Sequence, residues 1–235
     1  MTKYLIFILA AFIFCSCDHM DGSGNIKTEK RNVSRFNGVQ GSGSMDIEVS
    51  NGDKFSVEVE ADDNILEYVI TEVDDDMLDI HFKQRMSFNN VHAKVYVTAP
   101  GLKRLFIRGS GNISSKNTIK NTESLTTKIS GSGNINADVD APRIKADISG
   151  SGNLSLQGRC KSFEGSISGS GDLKCKNLLS ENATVSIFGS GTAHVFASVH
   201  LKASTTGSGD IYYSGNPSSP ETSKTGSGSI QAENR

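Results

Sequence analysis

The chain has 235 residues, with 24 Lys plus Arg against 26 Asp plus Glu and a formal net charge of -2. This balance lacks the basic stripe that neutralises phosphates, which argues against nucleic acid as a partner. Hydrophobic residues make up 36% in largely alternating order, enough to bury a core and to argue against disorder. Glycine stands at 24, above the roughly 16 that an average usage of about 7% would give. Those glycines do not fall on every third position, which excludes a collagen-like chain.

Lys3 is followed by an apolar run from Tyr4 to Phe14 and then by Cys15-Ser16-Cys17. A short positive end, an apolar stretch too short to span a bilayer and small residues after it describe a secretory signal. A cysteine directly at its end is the pattern of bacterial lipoproteins, here with Phe14 or Phe12 where a leucine usually stands. The small Ser16 before it makes Cys17 the expected lipidated residue, with Cys15 as second choice. Residues 1–16 are thus expected to be removed as a signal peptide. That step takes away one basic residue, leaving 23 basic against 26 acidic, a net of -3. Several acyl chains on one cysteine give a stable, palmitate-bearing anchor. Residues 17–30 read as a flexible lipidated tether, because Gly22-Ser23-Gly24 is permissive and no apolar period appears.

Residues 31–100 read as a β segment. Met45-Asp46-Ile47-Glu48-Val49 and Phe55-Ser56-Val57-Glu58-Val59-Glu60 alternate around the turn signal Asn51-Gly52-Asp53. Residues 65–73 read either as a strand or as one helical turn leading into a strand. Asp74-Asp75-Asp76 is a turn before Met77 to Phe82, and Val91 to Thr98 alternates until Ala99-Pro100-Gly101 stops it. Gly41-Ser42-Gly43-Ser44-Met45 resembles the corners that follow later, so this segment is expected to continue the later architecture or to cap its end.

Residues 101–235 are a repeat. Gly-Ser-Gly triplets begin at Gly22, Gly41, Gly109, Gly131, Gly150, Gly169, Gly189, Gly207 and Gly226, and from Gly109 the intervals are 22, 19, 19, 20, 18 and 19 residues. Two positions before the triplet stand Ile107, Ile129, Ile148, Ile167 and Ile187, weakening to Thr205 and Lys224. Four positions after its first glycine stand Ile113, Ile135, Leu154, Leu173, Ala193, Ile211 and Ile230. Asn112, Asn134, Asn153, Asp172, Thr192, Asp210 and Ser229 directly follow the triplets. This is period-2 alternation with one buried face. Both glycines share the inward phase, where a Cβ would collide, and the serines point outward. A unit of about 19 residues cannot bury its own apolar face, so neighbouring units stack. Propeller blades need about 40 to 50 residues, and a sandwich gives no reason for equivalent residues to stack. The expected fold is therefore all-β, a right-handed β-helix or β-solenoid with coils of about 19 residues, stacked about 4.8 Å apart. Seven coils would give a rod of roughly 29 Å.

Val39 to Gly43, Asp46 to Asp53, Val95 to Leu102, and Gly109-Ser110-Gly111-Asn112-Ile113 with its repeats resemble the head GIN domain family. The resemblance spans roughly residues 32–214. It implies a β-helical fold, an auto-transporter adhesin head and a cell-surface setting on secreted or lipid-anchored bacterial proteins. It brings no catalytic or binding residues to carry over.

The chemistry on offer is sparse. No triplet continues as a nucleotide-binding fingerprint, and a calcium β-roll would need a shorter, Asp-bearing repeat. His19, His81, His92, His194 and His200 show no ligand spacing, though His81 and His92 sit where adjacent strands could bring them together. No metal and no cofactor are expected. Cys175 takes the inward position of Leu156 and Val195, and Cys160 aligns with Leu179, so both read as core thiols, with their pairing left open. The candidate functional surface is an outer-wall ladder of Asn112, Asn134, Asn153, Asp172 and Asp210. Beside it runs a row of Ser114, Asn136, Ser155, Lys174, His194, Tyr212 and Gln231 without paired acids. Tyr212 and Tyr213 offer a small stacking platform. The expected function is non-enzymatic: an outer-membrane-anchored lipoprotein at the cell surface, adhesin-like, binding a polar partner such as a glycan or surface protein. The alternatives are a glycan-acting β-helix enzyme and a structural or sensory envelope protein that self-associates into homo-oligomers.

Overall fold

The structure is a computed structural model that describes residues 19–84 and 86–233. The expected signal segment 1–16, with Cys15, and the expected lipid site Cys17 lie outside the described residues.

The chain winds as a β-solenoid of about six turns. One wall is built by Arg104–Gly109, Ser124–Gly131, Arg143–Gly150, the last residues of Asn153–Gly169, the end of Leu178–Gly189, His200–Gly207 and Glu221–Gly226, each parallel to the one before. A second wall is built by Asn112–Ser115, Asn134–Asp140, the first residues of Asn153–Gly169, Asp172–Cys175, Thr192–Phe196, Asp210–Ser214 and Ile230–Ala232. The triplets are the corners between the two walls.

The register stacks like on like. Ile107, Ile129, Ile148, Ile167 and Ile187 are direct neighbours down the first wall, followed by Thr205. Ile113, Ile135, Leu154, Leu173, Ala193 and Ile211 do the same on the second. Each isoleucine of the first column is 0 to 1% exposed. Burying one such side chain contributes about 1.5 to 3 kcal/mol.

The corners explain the triplets. Gly150 has φ +126, a conformation few side chains adopt. A Cβ built on it would overlap the carbonyl oxygen of Gly131, and one built on Gly152 would overlap that of Gly133. Those carbonyls are occupied: Gly131 O accepts from Ser151 N at 3.0 Å and Gly152 N at 3.1 Å, and Gly133 O accepts from Asn153 N at 3.2 Å. The same bonds recur from coil to coil, as when Gly109 O accepts from Ser132 N and Gly133 N, both at 2.9 Å.

The N-terminal segment both continues the solenoid and caps it. Gly38–Gly43 pairs with Arg104–Gly109, and Asp46–Asn51 pairs with Asn112–Ser115, so together they form one more coil. Met77–Phe82 and Ala93–Ala99 lie parallel beyond that coil. The exposed edges are then closed by antiparallel strands: Val69–Asp74 on Met77–Phe82, and Ile26–Arg31 on Ser56–Asp62 on Ala93–Ala99. A 3-10 turn at Leu66–Tyr68 precedes Val69–Asp74, which selects the second of the two readings of residues 65–73. The corner of this first coil is shifted by two residues from the sequence alignment. Gly43 pairs with Gly109, and Gly41 pairs with Ile107. Met45 therefore occupies the second-glycine position, and its carbonyl accepts from Asn112 N at 3.0 Å. Gly41 instead leaves room for the Ile47 and Ile107 side chains.

Residues 19–30 are not a free tether. His19–Asp21 pairs with Ser87–Asn89, and Ile26–Arg31 is a paired strand. The triplet Gly22-Ser23-Gly24 is held by a clasp formed by Asp62, Asp63 and Asn64. Asp62, 2% exposed, accepts from Gly24 N and His92 N, both at 2.7 Å. Asp63 accepts from Ser23 Oγ at 2.7 Å and Asn25 Nδ2 at 2.9 Å, and Asn64 accepts from Ser23 N at 3.0 Å. Side-chain acceptors brought from some 40 residues away thus replace the flexibility that a Gly-Ser-Gly stretch suggests. At the other end Glu221–Gly226 is exposed throughout, and Lys224 stands in the inward phase, which blunts the final edge.

Ile148→Asp should destabilise the fold by at least about 4 kcal/mol in thermal melts, because the buried charge finds no partner. Gly150→Val should be similarly damaging, whereas Ser151→Ala should stay within about 0.5 kcal/mol. The clasp gives a pH prediction. Hydrogen bonds from Ser23, Lys27 and Asn25 hold the Asp63 carboxyl down from 3.8 to about 2. A depressed carboxylate contributes stability above its ordinary value and loses it as pH falls through the folded one. Lowering pH from 3.8 towards about 2 should therefore speed amide exchange at residues 22–25 ahead of the solenoid, and Asp63→Asn should abolish that pH dependence.

Candidate functional site

The register places Asn112, Asn134, Asn153, Asp172 and Asp210 in one column on the second wall, with Asp46 before them and Thr192 between the last two. The asparagines are linked head to tail: Asn112 Nδ2 donates to Asp46 Oδ1 at 2.6 Å, Asn134 Nδ2 to Asn112 Oδ1 at 2.7 Å, and Asn153 Nδ2 to Asn134 Oδ1 at 2.9 Å. Asp172 meets Lys174 at 3.5 Å, and Asp210 accepts from Ser229 N at 2.8 Å and Ser229 Oγ at 2.7 Å. Much of this polar capacity is spent between coils, so the ladder works as a row of staples.

The neighbouring row of Ser114, Asn136, Ser155, Lys174, His194, Tyr212 and Gln231 also stacks in register. His194 and Tyr212 are stacked, with ring centroids 4.9 Å apart and planes at 16°. Each ring covers one face of the other, and Glu233 meets His194 at 3.4 Å. Tyr213 is paired to Val195 in the inward column and packs against the core. The two tyrosines therefore form no shared platform.

A different residue stands out on the first wall. Ser168, Phe188, Thr206 and Thr225 are successive neighbours in one outward column. Ser166, Ser186, Ser204 and Ser223 form the adjoining column, and Ser170, Ser190, Ser208 and Ser227 are exposed at the corners. In these last four coils every one of those positions is a hydroxyl except Phe188, which is 59% exposed. The signal was present in the triplet alignment: the position just before the first glycine reads Arg108, Ser130, Ser149, Ser168, Phe188, Thr206, Thr225.

The acids do not form a catalytic pair. A groove of about 370 Å³ holds Asp138, Asp140, Lys120, Arg159 and the exposed Leu179. Arg159 donates to Asp140 through Nε at 3.0 Å and Nη2 at 2.7 Å and lowers the pKa of that carboxyl. A general acid needs the opposite shift. Glu123 is likewise lowered by Lys103. His81 lies between Glu72 at 3.8 Å and Asp79 at 3.9 Å, while His92 meets Glu60 at 2.8 Å, so the two histidines serve separate carboxylates. Among the described residues no group of three or more His, Cys, Asp or Glu is placed to hold a metal ion.

Cys160 and Cys175 are free thiols, both pushed up to about 12 by burial, which suits packing rather than nucleophilic chemistry. Cys175 lies in the inward column as expected, but Cys160 pairs with Ser180 and not with Leu179, which is opposite Arg159. The coil ending at Gly189 has one extra residue in its turn at 176–177, so the offset between neighbours rises from 19 at Asn153–Asp172 to 20 at Gly158–Leu178.

A model described as "Putative auto-transporter adhesin, head GIN domain" matches residues 35–217. The chain belongs to the head GIN domain family. A crystal structure of a "putative adhesin" from Bacteroides fragilis superposes with a TM-score of 0.86 at 23% identity, covering 91% of this chain and 100% of that one. From Parabacteroides distasonis, a "putative lipid binding protein" (TM-score 0.74, 26% identity) and a "putative adhesin" (0.69, 28%) each cover 92% of this chain and are themselves covered completely. Among curated proteins none is similar in sequence.

If the asparagine column is a set of staples, Asn134→Ala should cost about 1 to 2 kcal/mol by removing two half-exposed hydrogen bonds. Denaturant melts check this. Ser155→Ala in the neighbouring row should stay within about 0.5 kcal/mol.

Proposed function

We propose that the chain is a non-enzymatic envelope lipoprotein, acylated at Cys17 after removal of residues 1–16, that binds a polar partner through its outer wall at the cell surface. The pattern Cys15-Ser16-Cys17 after an apolar run supports the anchor, and the family description supports the adhesive role. The observation that carries the binding surface is Phe188, an exposed ring whose outward neighbours in the last four coils are hydroxyls. An aromatic ring supplies apolar contact area for the C–H face of a sugar, and the regularly spaced hydroxyls supply adaptable donors and acceptors. The partner class that fits is a neutral glycan. The tied-up acids disfavour a glycan-acting enzyme, and the polar last strand disfavours end-to-end self-assembly.

A glycan array and a cell-adhesion assay on the mature protein test this. Retention of uncharged glycans, weakened about tenfold or more by Phe188→Ala at unchanged melting temperature, is the expected result. The factor follows from the roughly 1.5 to 3 kcal/mol that a buried Phe contributes. Binding indifferent to Phe188→Ala, or no binding with the protein shielded from protease on whole cells, would count against it.

A further inference from the structure

We propose that the corner of the N-terminal cap formed by His19–Asp21 and Ser87–Asn89 lies directly against the bilayer, with no stalk between lipid and fold. The inference rests on the anchoring reading and goes beyond it by fixing which surface meets the membrane. His19 stands two positions beyond Cys17, a reach of at most about 7 Å in extended chain. An acylated Cys17 must sit in the headgroup region, which is only a few ångströms deep on each side of a roughly 30 Å hydrocarbon core.

The fold gives no slack to make up the distance. His19, Met20 and Asp21 pair in register with Ser87, Phe88 and Asn89. Met20 and Phe88 pack against the core, and the Phe88 ring lies 4.6 Å from Phe82 and 5.8 Å from Tyr68. Immediately beyond, Gly22 N donates to Asn89 O at 3.4 Å and Asn64 Nδ2 donates to Asp21 O at 2.9 Å. Peeling the segment away would strip the buried Asp62 carboxylate of its Gly24 backbone donor, which is costly. The residues exposed at this corner, His19, Asp21, Lys83, Gln84, Asn89 and Asn90, are polar and suited to headgroups rather than to hydrocarbon. The serine and threonine walls are left free.

The chain contains no Trp, so a single introduced Trp reports its own position. Acylated full-length protein is placed in phosphatidylcholine vesicles with brominated acyl chains, with Trp introduced as Asn89→Trp or, at the far end, as Ser223→Trp. Quenching of the Asn89→Trp protein at least about twofold stronger than that of Ser223→Trp supports the proposal. Inserting ten Gly/Ser residues after Asp18, which add roughly 17 Å of mean reach, should erase the difference. If Asn89→Trp does not fold, Lys83→Trp takes its place. Quenching at the cap no stronger than at the far end, or a difference that survives the insertion, overturns the proposal alone. A mature protein whose mass shows no acyl group at Cys17 overturns the anchoring reading and the proposal together.

Discussion

Everything in this molecule depends on how closely one corner can approach the next. At each turn the carbonyl of one glycine receives the Ser amide of the following coil, and at several corners the Gly amide as well, as Gly131 O does from Ser151 and Gly152. No Cβ fits between them at either glycine. Because two or three of the corner amides are satisfied by the coil beneath, the chain can turn sharply while most of its donors there stay paired. The triplet is thus a hydrogen-bonded joint, and its serine is simply the residue that faces water between two glycines that cannot be anything larger.

The joint fixes everything on both sides of it. Strands leave each corner in the same phase, so the isoleucines before it and the aliphatic residues after it fall into unbroken columns. Outward positions are then free to vary, and they do so in two ways. On the second wall they are used to tie coils together, through the asparagine chain from Asp46 to Asn153. Across the walls, ion pairs such as Lys145 with Glu164 at 2.8 Å and Arg159 with Asp140 at 2.7 Å link adjacent coils as well, each contributing little at such exposed positions. Only towards the C-terminal end of the first wall do the charges give way to hydroxyls around Phe188. A solenoid whose interior is filled by side chains meets whatever it binds with its outer walls.

Much of this was legible because the repeat is strict. The isoleucine column, the inward glycines and the polar column after them follow from alternation alone, and the register reproduces them residue for residue. What escaped the sequence shares one physical cause, dependence on partners distant in the chain. Gly22-Ser23-Gly24 looks like a linker until Asp62, Asp63 and Asn64 arrive to hold it. Gly41 looks like a corner glycine, yet the coil is registered on Gly43, and Gly41 is small because Ile47 and Ile107 need the space. Cys160 was misaligned by one because a single extra residue sits in the turn at 176–177. Phe188 needed no partner to be seen, only attention to the outward column.

The most direct test of the joint is residue-resolved native-state hydrogen exchange. The amides of Ser132, Asn134, Ser151 and Asn153 lie in corners that sequence chemistry alone would class as exposed Gly/Ser turns. If their protons are bonded to the preceding coil, they should exchange as slowly as those of Ile135 and Ile148 in the adjoining strands, and far more slowly than Asn216 and Ser219 in the loop. Corner amides that exchange as fast as that loop would contradict the account.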